Sequence, residues 1–164
     1  RSAHETTEED WQRFLDINLT AVFRLSVAAL PLLKVTRGCI VNIASTFGVT
    51  GFPGSAGYSA SKAAIIGLTR QMAADYGAEG VRINAVAPGA IETALTAERL
   101  RPGQWHRAAT VGVTPLGRAG RPEEVAGPVS FLCSEDAAYV HGAVLVVDGG
   151  WSGTRYLPQN GVPA

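Results

Sequence analysis

Three short apolar runs constrain this chain more than anything else in it: Cys39-Ile-Val-Asn-Ile-Ala44, Val81-Arg-Ile-Asn-Ala-Val-Ala87 and Ala143-Val-Leu-Val-Val147. Runs that stay apolar without regular alternation suit strands buried on both faces, as parallel strands are. Helical segments separate them, so the order reads helix, strand, helix, strand, lid, helix, strand. Strands alternating with helices make a parallel sheet covered on both faces. The expected fold class is therefore α/β, with about three parallel strands and flanking helices in a doubly wound arrangement. In such sheets chemistry gathers beyond the C-terminal strand ends. Ser45, Pro88-Gly89 and Asp148 all fall there.

The connecting segments carry their own signals. Thr6 with Glu9, or Thr7 with Asp10, makes a capping box that starts a helix. The helical pattern runs to about Leu33, and from Leu19 onward it is apolar on nearly every face. Such a helix needs cover on both sides, from the sheet and from a further layer or a partner subunit. Asn18, a poor residue for a helix interior, reads as a local kink or cap. Arg37-Gly38 ends the helix. Thr46 to Gly57 reads as a loop, and a helix then runs from Tyr58 to about Tyr76, with Gly77 as its stop. Ala90 to Gly120 is irregular or weakly helical, and residues 94–117 within it read as a lid. Arg121-Pro-Glu-Glu124 opens another helix. Residues 152–164 read as an extended or loosely docked tail.

The totals narrow the function classes. Apolar residues make up 46% of 164, and 14 basic side chains balance 14 acidic ones. No basic patch argues for nucleic acid and none for an anionic membrane surface. There is no run of 18 uninterrupted apolar residues and no signal peptide, so the expected location is cytoplasmic. Cys39 and Cys133 read as isolated buried thiols in a reducing compartment. His4, His106 and His141 are scattered, and no metal site is expected.

Tyr58-Ser-Ala-Ser-Lys62 carries the chemistry. Residues four apart share one face of a helix. A phenol ordinarily titrates near 10, and an ammonium one turn away favours its anion. The pair reads as a tuned general acid/base. Ser45 stands thirteen residues earlier at a strand end, where a hydroxyl and the phenol can face one reacting oxygen.

Together these residues resemble the short-chain dehydrogenase/reductase family, in the branch of the 3-oxoacyl-carrier-protein reductases and sugar dehydrogenases. Asp16-Ile-Asn18-Leu, Ile40-Val-Asn-Ile-Ala-Ser45, Tyr58-Ser-Ala-Ser-Lys62, Pro88-Gly-Ala-Ile-Glu-Thr93, Pro115 to Glu124 and Val147-Asp-Gly-Gly150 follow one another in the family's order. The resemblance spans residues 5–151. It implies a Rossmann-like catalytic domain over residues 1–151 and Asn18, Ser45, Tyr58 and Lys62 as catalytic residues. Asn18 would hold a water in a proton relay to Lys62. It further implies NAD or NADP as cofactor, contacted by Tyr58, Lys62, Pro88, Gly89, Ile91 and Thr93. A small alcohol or ketone would be the substrate, in a homotetramer or dimer.

One departure is large. The family's T-G-x-x-x-G-x-G turn, its NAD/NADP-selecting residue and its N-A-G motif do not occur in this sequence. That turn supplies backbone donors to the cofactor diphosphate. By comparison with the family, about ninety residues bearing this dinucleotide-binding half are expected to be absent ahead of Arg1. Three readings follow. The chain belongs to a complete hydride-transferring enzyme; or it is an inactive fragment with a bare strand edge, at most an assembly module; or it performs a related reaction, epimerisation or dehydration, with the same Tyr and Lys.

Overall fold

The computed structural model describes residues 1–154. The tail expected over residues 152–164 lies mostly outside the described residues. α1 (Glu8–Leu15) begins where the Thr7 hydroxyl accepts the Asp10 amide at 3.1 Å, choosing the second of the two expected caps. The expected single helix is interrupted: Asp16–Thr20 forms a π-helical turn, and α2 (Ala21–Thr36) follows. Asn18 sits in that turn, so its poor fit to a regular helix is expressed as a local widening. Arg37, in the left-handed conformation, caps α2.

β1 (Cys39–Ile43), β2 (Arg82–Pro88) and β3 (Val144–Val147) form a parallel sheet in the order β1-β2-β3. Cys39 pairs with Arg82 at one end and Ile43 with Val86 at the other; Ala85 pairs with Val144 and Pro88 with Val147. Side chains alternate along the strands and pack against helices on both faces of the sheet. On one face Ile83, Ala85 and Ala87 pack against Leu30 of α2 and against Ile65, Ile66 and Met72 of α4 (Ala56–Tyr76). On the other face Val86 and Val41 meet Leu132, Val125 and Val129 of α6 (Pro122–Cys133). Arg82 ties this second layer down, donating to the Leu132 carbonyl at 2.7 Å and the Ser134 carbonyl at 3.1 Å.

Two local expectations change, at Ser45 and at the cysteines. The segment after Ser45 is not all loop: α3 (Thr46–Thr50) forms there, because the Ser45 hydroxyl accepts the Phe47 amide. α4 ends at Tyr76 with Gly77 as its C-cap, as expected; Gly77 keeps a right-handed conformation and starts a 3-10 turn, and Gly80, at φ 83°, is the residue in the left-handed region. Cys133 is exposed and Cys39 half-buried, and they are not isolated. Burial first, then the neighbouring Cys133 thiol, hold the Cys39 thiol above its ordinary value. By length and composition the stretch Glu8–Thr36 suffices to cross a membrane. Here it lays Leu19, Val22, Leu30 and Leu33 against the sheet layer and α4.

The segment expected to be a lid, residues 94–117, contains α5 (Trp105–Ala109) and a 3-10 turn at Val111–Val113. It has a small core of its own, Leu100, Val111 and Ala119 with Ala90 against them. Its far end is fastened to α6. Glu124 takes both terminal nitrogens of Arg118 at 2.7 Å and the Arg121 amide at 2.8 Å.

Candidate active site

Ser45 stands just past the C-terminal end of β1. Lys62 reaches the Ile43 carbonyl, and the residues after Ser45 pack against Tyr58 and Lys62, Phe47 against the Tyr58 ring and Gly48 against Lys62. Ser45 is 7% exposed. The ladder runs one bond past the strand, from the Ala44 amide to the Val86 carbonyl at 2.8 Å, and fixes where Ser45 stands. Its Oγ accepts the Phe47 amide at 3.2 Å, which leaves the hydroxyl proton available to another acceptor. Thr46 Oγ1 donates to the Pro88 carbonyl at 3.3 Å and joins the ends of β1 and β2.

Tyr58 is the third residue of α4, and its ring lies edge-on between Phe14 (6.3 Å) and Phe47 (6.2 Å). Lys62 lies one turn on, its Nζ 5.9 Å from the Tyr58 ring centre. Nζ donates to the Ile43 carbonyl at 2.8 Å. Burial pushes the Lys62 ammonium down from its ordinary value. α3 and α4 meet at Gly48, where a Cβ would stand 2.5 Å from the Lys62 carbonyl carbon. Only glycine lets the Ser45 segment approach the Lys62 turn so closely.

Asn18 joins the group through Ser61. Its Nδ2 donates to Ser61 Oγ at 3.2 Å, and Ser61 Oγ donates to the Tyr58 carbonyl at 2.8 Å. Ser61 is fully buried and was not singled out by sequence reasoning, although it lies inside the Tyr58–Lys62 stretch. The π turn thus aims Asn18 at the helix turn between the two expected catalytic residues.

The expected cofactor contacts lie along the next strand end. The Gly89 amide donates to the Val147 carbonyl at 3.0 Å, and a Cβ there would stand 2.7 Å from Asp148 Cβ. Ile91 pairs with Gly120, and its carbonyl accepts Thr96 Oγ1 at 2.6 Å. The Thr93 amide also donates to Thr96 Oγ1, at 2.9 Å. Ile91 borders a cavity of ≈ 120 Å³ with Leu116, Arg118 and Asp148; Ser45, Tyr58 and Lys62 do not line it.

This donor set fits the nicotinamide-ribose end of a dinucleotide. Lys62 has ammonium protons beyond the one Ile43 takes, and the Ser45 proton is uncommitted. The diphosphate end calls for a glycine-rich turn at a helix start, and the 164 residues contain no T-G-x-x-x-G-x-G sequence.

Trp105 and His106, which the sequence offers either as pocket residues of the lid or as ordinary lid packing, belong to a group of rings that the sequence does not assemble. Phe47 stacks on Phe52, and Trp105, His106 and Trp151 complete the cluster. Trp151 Nε1 donates to the Ala109 carbonyl at 3.2 Å, tying the turn after β3 to the lid. These residues come from three separate segments, so no local spacing announced them.

Comparison with known proteins places the chain in a family. Residues 1–152 match the family model described as "Enoyl-(Acyl carrier protein) reductase". Cyclopentanol dehydrogenase of Comamonas testosteroni is 42% identical over 153 residues, which are 93% of this chain and 61% of that protein. The solved structure of 4-hydroxyisoleucine dehydrogenase complexed with NADH superposes with a TM-score of 0.84 at 34% identity, covering 92% of this chain and 62% of that one. A structure from Agrobacterium tumefaciens with bound NADP gives a TM-score of 0.86 at 40% identity, with the same coverage of 92% and 62%. The chain therefore spans about three fifths of the length of these relatives.

Proposed function

The chain belongs to the short-chain dehydrogenase/reductase family, whose solved relatives bind NADH or NADP, and from that premise we propose that it serves the reversible conversion of a secondary alcohol to a ketone. The observation that carries this reading is Lys62 one turn from Tyr58 on α4, its Nζ 5.9 Å from the Tyr58 ring centre and hydrogen-bonded to the last residue of β1, two positions before Ser45. When bound, the nicotinamide cofactor supplies or accepts the hydride. The residues of this chain handle the proton and the geometry.

Ser45 orients the substrate oxygen. One lone pair of its hydroxyl takes the Phe47 amide, and its proton remains free to be donated to a carbonyl oxygen. Tyr58 gives a proton to that oxygen in reduction and takes it from the hydroxyl in oxidation. Lys62 provides the positive charge that favours the phenolate, and its remaining donors suit the ribose hydroxyls. Asn18, anchored on Ser61, holds a water that relays protons to Lys62. Pro88, Gly89, Ile91 and Thr93 border the nicotinamide. The same proposal places the working protein in the cytoplasm as a dimer or tetramer. The outward face of α2 supports association: Leu25, Leu32 and Val35 are 72%, 73% and 84% exposed.

The test is consumption of NADH or NADPH by the full protein in the presence of simple ketones. Oxidation of the nicotinamide in step with alcohol formation is the expected result. Conversion of substrate with no change in the nicotinamide would favour epimerisation or dehydration instead.

A further inference from the structure

Five rings form a cluster that meets Tyr58 through Phe47, and the proton chemistry uses none of them. Phe47 and Phe52 stack with centres 4.0 Å apart and planes 4° from parallel. Phe47 presents its edge to Tyr58 at 6.2 Å. Trp105 lies 5.5 Å from Phe52, and His106 lies 5.4 Å from Phe52 and 6.1 Å from Phe47. Trp151 closes the group, 5.8 Å from Phe47 and 6.1 Å from Phe52.

These rings are not core. Trp105 is 61% exposed, and the other four are half-buried. Three segments therefore converge to leave aromatic surface accessible next to the reacting group, a costly arrangement in water that a bound apolar ligand relieves. The group is also uncharged. Burial, and then exposed Arg99, push the His106 imidazole down toward its neutral form. The ion pairs among the described residues involve none of the five. Half-buried Lys62 is turned onto the Ile43 carbonyl.

Resting on the alcohol–ketone reading above, we propose that Phe47, Phe52, Trp105 and Trp151 determine specificity at that site, and that its substrate is an uncharged secondary alcohol or ketone carrying an aromatic or alicyclic ring. The ring stacks on the Phe52–Trp105 side while its carbonyl reaches Ser45 and Tyr58. Linear chains cannot present a flat face to this wall, and a carboxylate finds no buried cation beside it.

Ligand-observed NMR on the full protein tests this with acetophenone, its linear eight-carbon counterpart 2-octanone, and 4-acetylbenzoate. The expected result is binding of acetophenone ~5- to 10-fold tighter than of either competitor. That preference disappears in Phe52→Ala and Trp105→Ala, or in Phe52→Leu and Trp105→Leu if the alanine variants lose their circular dichroism. Equal binding of acetophenone and 2-octanone, tighter binding of 4-acetylbenzoate, no binding of any probe, or an unchanged preference in the folded variants overturns the proposal. Nicotinamide-coupled turnover separates it from the reading beneath it. Turnover of 2-octanone in preference to acetophenone sinks the ring specificity and leaves the oxidoreductase reading standing. Selective acetophenone binding with no turnover of any ketone does the reverse.

Discussion

Lys62 Nζ donates to the Ile43 carbonyl at 2.8 Å, so α4 closes onto the last residue of β1 through an ammonium that burial pushes down from its ordinary value of 10.5. In Lys62→Met the charge and its desolvation both vanish. Activity should fall at least ~100-fold, since the proton-handling pair is broken, with no loss of stability at neutral pH. The unfolded chain binds the Lys62 proton more tightly than the folded one. Wild-type stability relative to Lys62→Met therefore rises as pH climbs from the lowered folded value toward 10.5. Thermal melts of both proteins across that range measure it; a difference that falls with pH would contradict the burial argument.

Gly48 sets how close α3 comes to α4. An alanine there meets backbone at Lys62 and Ala63, at 2.5 and 2.7 Å. Gly48→Ala should cost about 1–3 kcal/mol in urea unfolding and should lower activity by moving Ser45 away from Tyr58. An unaltered midpoint would show that the two helices separate freely.

Glu124 joins the end of the lid to α6. The Arg118 guanidinium, then the Arg121 amide, hold its carboxyl down at about 2. Its contribution is complete above the ordinary value of 4.5 and is lost as pH falls from 4.5 through about 2. Glu124→Gln should flatten that part of the acid-unfolding curve. Superimposable acid curves for the two proteins would mean that the bidentate pair carries no stability.

His141 fastens β2 to α4 from the loop ahead of β3. Its Nδ1 accepts the Ile83 amide at 3.2 Å, and the opposite nitrogen, Nε2, donates to the Ala73 carbonyl at 2.8 Å. His141→Ala strands a buried amide and a carbonyl, for an expected loss of about 2–4 kcal/mol. Urea unfolding measures this, and a loss below about 0.5 kcal/mol would indicate that water replaces the imidazole at both bonds.

How much of this was legible in the sequence depended on how local the causes were. β1, β2 and β3 could be read from their apolar runs, although only the central β2 is buried along its length; Ile43 of β1 and Leu145 and Val146 of β3 are exposed. Tyr58 and Lys62 could be placed on one face because helical spacing dictates it, and they do share that face. α3 could not be read: Thr46-Phe-Gly-Val-Thr50 is a poor helix by propensity, and it forms through the Ser45 cap and the contact of Gly48 with Lys62. Asn18 was legible as a disturbance in its helix, but its partner Ser61 lies 43 residues away. The ring cluster and the Cys39–Cys133 neighbourhood were invisible for the same reason, since each is assembled by the packing of distant segments.

The account rests on Tyr58 as the acid/base, and Tyr58→Phe tests it most directly. The substitution removes one oxygen and keeps the edge contacts with Phe14 and Phe47, so the fold should survive. Nicotinamide-coupled turnover of a ketone by the full protein should then fall at least ~1000-fold, with circular dichroism and melting temperature unchanged. Turnover within about threefold of wild type in the folded variant would contradict the assignment.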